Sequence, residues 1–261
     1  MRKLIPVFIL MLIAVTSCKY EKLLKSRDYK LKYQKALEYY ADEDYMRADG
    51  LFEQLKPVLR GTKQADTVYF YSAYCNYHQK NYLLAAYYFD EFRKSFGNSK
   101  FVEEAEYMNA YCNYLLSPRP SLDQNNTYQA ISLFGLYMSR YPNSEKIDEC
   151  VEYVEELRNK LIEKSFNNAK LYYDLGDYKA AVVALNNCLD KYPDSQYREE
   201  VMFLILKSRF LLAENSIYDK QTERYQSTVD EYYSFVGEFP DSDHYKEAVS
   251  IFNQSQSQLK N

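Results

Sequence analysis

A four-residue phrase recurs along the chain and constrains its fold more than any other feature. The phrase is an aromatic residue, Pro or Gly, Asn or Asp, and Ser; it stands at 96–99, 141–144, 192–195 and 239–242, with a degenerate copy at 59–62. Each copy begins eleven residues after a small residue that has a large residue four positions on. The small residues are Ala48, Ala85, Ala130, Ala181 and Thr228, and their large partners are Phe52, Phe89, Phe134, Leu185 and Tyr232. Because four residues make about one helical turn, each small–large pair faces one side of a helix.

The phrase has the chemistry of a helix end followed by a helix start. Pro or Gly stops one helix, and Asn or Asp with Ser offers an N-cap for the next. Polar turns that carry a Tyr precede it, at Asp44–Tyr45, Asn81–Tyr82 and Gly176–Tyr178. The pattern resembles the tetratricopeptide repeat. We therefore predict an all-α fold, a right-handed solenoid of about five tetratricopeptide-type helix pairs over roughly residues 28–258.

The copies are spaced more widely than in an ordinary repeat of this kind. Their starting residues differ by 37, 45, 51 and 47, against a usual period of about 34. The third repeat gains a Pro-rich insert at 117–124, the fourth an elongated first helix over 145–166, and the fifth extra residues near 215–222. Each insertion is either a contact point for a partner or a tolerated surface addition.

The N-terminus has the form of an export signal. Arg2 and Lys3 precede an apolar run over 4–15, which is too short to span a bilayer but has the length of a signal-peptide core. Val-Thr-Ser-Cys at 15–18 then matches a bacterial lipobox, in which Cys18 is acylated after cleavage before it. An ordinary cleavage site with a chance Cys is the alternative. Since Lys19 stands where inner-membrane lipoproteins often have Asp, we predict an outer-membrane anchor facing the periplasm.

These observations predict the organisation of the chain. A lipoprotein signal peptide covers 1–17, a lipidated linker 18–27, and the first two repeats with the first helix of the third cover 28–116. The remaining parts are the Pro-rich insert at 117–127, the rest of the third repeat and the fourth repeat at 128–195, and the fifth repeat at 196–261.

Composition and motifs argue against catalysis and nucleic-acid binding. The formal net charge of −4 does not suit a nucleic-acid binder. His78 and His244 are the two histidines, and the chain contains no HExxH, nucleophile elbow or glycine-rich phosphate loop. We predict no enzyme activity, no cofactor and no metal site. Paired acidic residues are interpreted as solvated helix faces.

The four cysteines of the mature chain fall inside predicted helices. They are Cys75, Cys112, Cys150 and Cys188. An even count in an exported protein is compatible with disulfides, but helical positions favour buried free thiols. A Cys75–Cys112 bond is the alternative to test, because the two positions are equivalent in adjacent repeats.

A lipoprotein of this length with five irregular repeats resembles the BamD family of outer-membrane protein assembly lipoproteins. The resemblance rests on the lipobox at Cys18, the insert at 117–124, the phrase at 141–144, and a stretch from Leu157–Leu161 through Tyr172–Tyr173 to 192–195. It implies binding of the periplasmic domains of a BamA-like barrel protein, mainly through the C-terminal half. It also implies contact of the N-terminal half with unfolded outer-membrane proteins. The first repeat departs most from the pattern.

Two candidate surfaces follow. The first helices of repeats one to three carry aromatic residues that suit an extended apolar peptide, namely Tyr33, Tyr40, Phe70, Tyr74, Tyr77, Tyr107, Tyr111 and Tyr114. Packing between helices explains the same rings equally well. In the C-terminal half, the candidate face for a folded partner comprises Arg158, Lys160, Lys170, Tyr173 and Lys207.

Two other functions remain open. One is a periplasmic repeat lipoprotein that coordinates envelope or peptidoglycan processes by protein–protein binding. The other is glycan capture of the SusD type, but those lipoproteins are longer and stack sugars on tryptophan, which this chain lacks.

Overall fold

The computed structural model describes residues 19–260, and the regular structure of this part is helical throughout. The all-α prediction is therefore confirmed. The predicted signal peptide and Cys18 lie outside the described residues. None of the helices in this part is long and apolar enough to cross a membrane.

Eleven long helices follow a short helical segment at residues 19–25 of the described part. They are α1 (Tyr29–Ala41), α2 (Tyr45–Leu59), α3 (Ala65–His78), α4 (Tyr82–Ser95), α5 (Val102–Leu116), α6 (Asn125–Arg140), α7 (Ile147–Asp174), α8 (Tyr178–Lys191), α9 (Arg198–Glu214), α10 (Tyr218–Glu238) and α11 (Tyr245–Leu259).

The chain divides into two compact units. In the described part, the first consists of residues 19–118 and 123–157, and the second of residues 119–122 and 158–260. In the first unit α1 to α6 pack in chain order, each on the next, and in the second α8 to α11 do the same. Helix α7 contributes its N-terminal part to the first unit and its C-terminal part to the second.

The connections distinguish turns inside a helix pair from turns between pairs. Three residues join the two helices of a pair in α1–α2, α3–α4, α7–α8 and α9–α10. From the second pair onward, six residues separate each pair from the helix that follows it. Helices this long that pack together across three residues must run antiparallel. The third pair is the exception, because eight residues, 117–124, join α5 to α6. The predicted insert therefore lies inside the third pair.

Three of the within-pair turns end the first helix with a left-handed residue. Glu43, Lys80 and Gly176 have φ of 60°, 62° and 79° at equivalent positions. The next backbone N–H then bonds back across the turn, as from Asp44 to the Tyr39 carbonyl at 2.8 Å and from Asp177 to the Tyr172 carbonyl at 3.0 Å. This left-handed closure satisfies carbonyls at the helix end and reverses the chain.

The recurring phrase works differently from the N-cap that its composition predicts. Its serines, such as Ser195 and Ser242, accept from the backbone N–H two residues later, at 3.1 and 3.0 Å. Their carbonyls accept from the N–H three residues later, and the assigned caps of α5, α9 and α11 make no side-chain cap bond. The serine therefore shapes the turn before the helix. Asp28, Asp44 and Asp177 provide side-chain caps instead, to α1, α2 and α8.

The small–large register predicted from the sequence is confirmed. All five small residues are fully buried, and among their large partners the most accessible, Tyr232, is 8% exposed. Apart from Thr228, these residues belong to four hydrophobic clusters that follow the repeats. Each small residue lets a neighbouring helix approach, and the large residue one turn on fills the space beside it.

Adding bulk at a small position should destabilise the fold. Ala181 is fully buried, so Ala181→Leu is expected to overpack α8 and lower the free energy of unfolding by about 1–3 kcal/mol. The neighbouring Ala180 is only half-buried, and Ala180→Leu is the control on the same helix. Urea unfolding followed by circular dichroism measures both; equal stability of the two variants would contradict the register.

The residues predicted to form a lipidated linker include a helical segment that packs against the first repeat. Residues 19–25 are helical, and Tyr20, Leu23 and Leu24 pack against its core cluster. The Tyr20 hydroxyl donates to the Arg47 carbonyl at 3.0 Å. Tyr20 lies about one helical turn from Leu23 and Leu24, so the three side chains share one face of the segment. Gly50 of α2 leaves room for the Tyr20 ring, because a Cβ at this position would lie 2.5 Å from the Tyr20 hydroxyl oxygen.

Two further features refine the predicted boundaries. The fifth pair ends at Glu238, and α11 follows as an additional helix that packs on α10 and α9. The extra residues of the fifth repeat mainly lengthen α10, which has 21 residues. All four cysteines are buried and free, as their helical positions predict.

Candidate functional site

A row of tyrosine rings runs across the first helices of the first unit. We call Tyr74, Tyr77, Tyr111, Tyr114 and Tyr153 the tyrosine row; all five are half-buried. Ring centroids lie 6.1 Å apart for Tyr74–Tyr77, 6.2 Å for Tyr77–Tyr111, 5.8 Å for Tyr111–Tyr114 and 4.4 Å for Tyr114–Tyr153. The row therefore connects α3, α5 and α7 without a break.

Helical spacing places these rings on one side. Residues three or four apart share a helix face, which groups Tyr74 with Tyr77 on α3 and Tyr111 with Tyr114 on α5. The repeat register then brings the two helices side by side. Tyr153 is not among the predicted site residues, because it lies on the elongated first helix of the fourth repeat, whereas the predicted groove covers repeats one to three. Its spacing of four from Glu149 was the available signal.

Glutamate side chains accept hydrogen bonds from three of the tyrosine hydroxyl groups along the row. Tyr74 donates to Glu104 at 2.5 Å, Tyr114 to Glu156 at 2.6 Å, and Tyr153 to Glu149 at 2.6 Å. Tyr74 and Tyr114 each reach from one repeat's first helix to the next, so these bonds also tie adjacent repeats together. These glutamates therefore do more than form the solvated helix faces that are expected for paired acidic residues.

Burial and neighbouring carboxylates hold two tyrosines of the row, Tyr74 and Tyr114, in their neutral form. Burial, and next the hydrogen bond to Glu156, raises the pKa of Tyr114 to about 12. Burial and the Glu104 carboxylate likewise raise the pKa of Tyr74. At neutral pH these two rings therefore stay uncharged beside carboxylates, and such a surface suits apolar and aromatic side chains and repels other anions.

Two of the predicted groove residues lie below this surface. Phe70 is 6% and Tyr107 is 5% exposed, and both belong to the core cluster. Phe70 stacks on Phe101 at 4.4 Å, and the Tyr107 hydroxyl donates to Glu149 at 2.8 Å. Their burial removes them from the surface a peptide can reach. They support the tyrosine row instead, Phe70 through its contact with Tyr74 at 5.0 Å.

The first repeat contributes a second aromatic group. Tyr33 and Tyr40 are half-buried against the first core cluster, and Tyr40 lies 4.6 Å from Tyr71 of α3. The exposed His78 stacks on Tyr45 at 4.2 Å, and its Nε2 lies 3.4 Å from the Tyr40 hydroxyl. Because His78 also stacks with Tyr74 at 5.9 Å, the group continues into the tyrosine row.

The candidate partner residues all lie in the second unit, where most are engaged internally. Lys170 pairs with Asp174 at 2.9 Å, and Lys207 with Glu247 at 2.8 Å. Arg158 is exposed and Lys160 half-buried, both on α7. Arg158 is therefore the cation of this set most open to a partner.

Lys207 is held by both charge and aromatic contacts. Its Nζ lies 5.9 Å from the Tyr173 ring centroid and 5.4 Å from that of Phe203. Burial alone would lower the pKa of Lys207, but the bond to Glu247 and the contact with Tyr173 outweigh it and raise the pKa. Lys207 therefore stays charged, and its main role is to join α9 to α11.

The described residues include no group of three or more His, Cys, Asp and Glu side chains arranged to hold a metal ion. His244 stacks on Phe203 at 4.1 Å, and His78 is engaged as described above. Both histidines have structural partners.

A family model described as YfiO, outer membrane lipoprotein, matches residues 26–209 of the chain. No curated protein matches the sequence at a significant level. Matching solved structures include the TPR2AB domain of yeast Sti1 in complex with pHSP90, at 10% identity and a TM-score of 0.40, covering 87% of this chain and 98% of that one. They also include the TPR domain of P58(IPK), at 13% identity and a TM-score of 0.43, covering 92% and 68% respectively.

Proposed function

The chain belongs to the YfiO family of outer membrane lipoproteins, and from that premise we propose that it is a scaffold of the β-barrel assembly machine. As a family member with tetratricopeptide-type helix pairs, it is an outer-membrane lipoprotein that binds other proteins. The proposal adds the partners: a BamA-like barrel protein and unfolded outer-membrane proteins. It also adds acylation at Cys18 and a periplasmic orientation.

The tyrosine row is the observation that carries the substrate half of this proposal. Unfolded outer-membrane proteins are extended chains that expose aromatic side chains, and such chains need a surface of rigid rings. Tyrosines provide contact area at a low entropic cost, because each has few rotatable bonds. Tyr74, Tyr77, Tyr111, Tyr114 and Tyr153 give a row long enough to contact several residues of a peptide. The bordering glutamates favour aromatic side chains within the peptide over its terminal carboxylate.

The second unit supports the partner half. A folded partner needs about 800 Å² of surface on each side and a few dominant anchors. The exposed Arg158 is the most open residue of the candidate face. Arginine is among the residues that most often act as such anchors.

The residues of the Pro-rich insert are held in place near this face. Residues 119–122 belong to the second unit, where the Lys164 Nζ donates to the Leu122 carbonyl at 2.7 Å and the Pro120 carbonyl at 3.3 Å. A surface insertion that is only tolerated would not need hydrogen bonds that fix it to α7. This favours a role for the insert in presenting a contact surface.

Affinity purification from outer membranes tests the proposal. The tagged chain is expected to co-purify with a large barrel protein that carries periplasmic repeats. Arg158→Glu should weaken this association at least about tenfold, which corresponds to about 1.4 kcal/mol. Lys179→Glu is the matched control, since Lys179 is also exposed in the second unit.

The outcome separates the two remaining functions. Recovery of peptidoglycan-processing proteins without a barrel protein would favour the envelope-coordinating alternative and contradict the proposal. Equal recovery of the barrel protein with both variants would show that Arg158 is not part of the partner face. It would still support formation of the complex.

A further inference from the structure

The segment directly after Cys18 differs in charge from the rest of the chain. Residues 19–35 contain seven lysines and arginines against two acidic residues, in a chain whose formal net charge is −4. Its exposed cations are Lys19, Lys22, Lys25, Arg27 and Lys30. We call these five residues the basic face. The whole-chain charge conceals this local excess.

The basic face is held rigidly on the first repeat. Besides the packing of Tyr20, Leu23 and Leu24, the Lys32 Nζ donates to the Leu24 carbonyl at 2.9 Å and to Gln54 Oε1 at 2.6 Å. Lys32 is 3% exposed, so these bonds satisfy a buried ammonium group. The helical segment 19–25 therefore moves with the repeat, and the basic face keeps its position relative to it.

An open depression lies between the segment and α1. Its volume is about 560 Å³, and its lining includes Lys19, Lys22, Leu23, Leu31, Lys35 and Tyr39. Glu38 and Asp42 also line it, and Lys35 is paired with Glu38. Within the described part of the chain neither Lys19 nor Lys22 takes part in an ion pair, so both ammonium groups remain open to an anionic ligand beside apolar surface.

We propose that the basic face binds anionic phospholipid headgroups of the membrane in which Cys18 is anchored. This inference rests on the acylation of Cys18 that forms part of the proposed function. Lys19 follows Cys18 directly, and one residue spans at most about 3.6 Å. The face therefore begins well within the Debye length of about 8 Å, where a lysine or arginine raises affinity for an anionic membrane about fivefold.

The consequence is a fixed placement of the first repeat. A flexible linker would let the protein hang away from the bilayer by the length of the linker. A docked segment with cations on its surface instead holds α1 and α2 at the headgroup level. Acyl chains and a basic face are complementary membrane signals, since one supplies apolar affinity and the other electrostatic attraction.

Energy transfer from a single tryptophan tests this placement. The chain contains no tryptophan, and Tyr29, at the start of α1, is 40% exposed. Tyr29→Trp therefore gives one donor beside the basic face. The acylated mature lipoprotein is reconstituted into vesicles of equal parts phosphatidylcholine and phosphatidylglycerol that carry a dansyl headgroup acceptor.

We expect strong transfer in these vesicles and at least an about twofold loss in pure phosphatidylcholine or at about 1 M salt, where the Debye length falls to about 3 Å. In the donor protein, combined Lys22→Gln, Lys25→Gln and Lys30→Gln should cause the same loss. The matched control changes three exposed lysines of the second unit, Lys179, Lys220 and Lys246, to glutamine and should retain transfer. Circular dichroism confirms that each variant is folded.

Transfer that is insensitive to lipid charge, salt and the basic-face substitutions would overturn the inference, as would equal losses in both triple variants. The vesicles contain neither a barrel partner nor a substrate peptide, so such results leave the scaffold function untouched. A product without the acyl mass increment would count against the lipid anchor and this inference together, and mass spectrometry before reconstitution recognises it.

Discussion

Replacing Cys18 with alanine is expected to abolish incorporation of fatty acid and to release the mature protein from outer membranes or leave it as an uncleaved precursor. Acylation and cleavage both require the thiol of the lipobox cysteine, and two or three acyl chains supply nearly all of the membrane affinity. The basic face alone gives only weak attachment, which salt removes. Metabolic labelling with a fatty acid, followed by fractionation in high salt, measures the effect.

Cys75→Ala is the matched control for this experiment. Cys75 is fully buried and free, so its replacement should leave the label and the membrane fraction unchanged. Label that persists on the Cys18 variant would contradict the lipobox interpretation. Label lost from both variants would point to a folding or export defect instead.

The second large effect is expected from the tyrosine row. Tyr74→Ala combined with Tyr111→Ala removes two of the five rings and should weaken binding of outer-membrane protein peptides at least about tenfold, since dominant aromatic anchors each contribute about 2 kcal/mol or more. The barrel partner should remain attached, because its proposed face lies in the second unit. Fluorescence anisotropy with a labelled peptide measures the first effect, and affinity purification the second.

Two controls separate binding from packing in this experiment. Tyr87 and Tyr128, on second helices of the first unit, are 57% and 50% exposed, and their combined replacement by alanine should leave peptide affinity unchanged. Tyr74→Phe keeps the ring and removes the hydroxyl that bonds Glu104, so it should bind peptide almost normally. Normal binding by the folded double alanine variant would mean that these rings only complete the core.

The charge around the tyrosine row also defines the peptide. Because Glu104, Glu149 and Glu156 border it, a peptide whose terminal carboxylate is amidated should bind at least as well as the free acid. Much weaker binding of the amide would mean that the terminal carboxylate is recognised elsewhere.

Local periodicity was enough to determine the helices and their packing faces. The small–large pairs, such as Ala85 with Phe89, are one helical turn apart, and helical geometry alone places both in the core. The five copies in one register therefore predicted five helix pairs, the Pro-rich insert inside the third and the elongated α7. The helical positions of the cysteines favoured free thiols but left a Cys75–Cys112 bond open, and the structure has all four thiols free.

Only the tertiary structure decided which aromatic rings reach the surface. Phe70 and Tyr74 are one turn apart on α3 and look equivalent in sequence, yet Phe70 is buried because Phe101 of the next repeat stacks on it. The hydroxyl partners of the tyrosine row are separated by 30 residues or more in the case of Tyr74 and Tyr114, so no local pattern predicts them.

The same holds for the N-terminal segment. A short, charged stretch follows the lipobox, and the sequence by itself predicted a lipidated linker at residues 18–27. Whether it docks depends on features of distant residues: the lack of a side chain at Gly50, the Arg47 carbonyl that accepts from Tyr20, and Gln54, which accepts from the buried Lys32. Sequence periodicity determines what each helix can bury, whereas contacts between residues far apart in the chain decide which rings and charges remain available to partners.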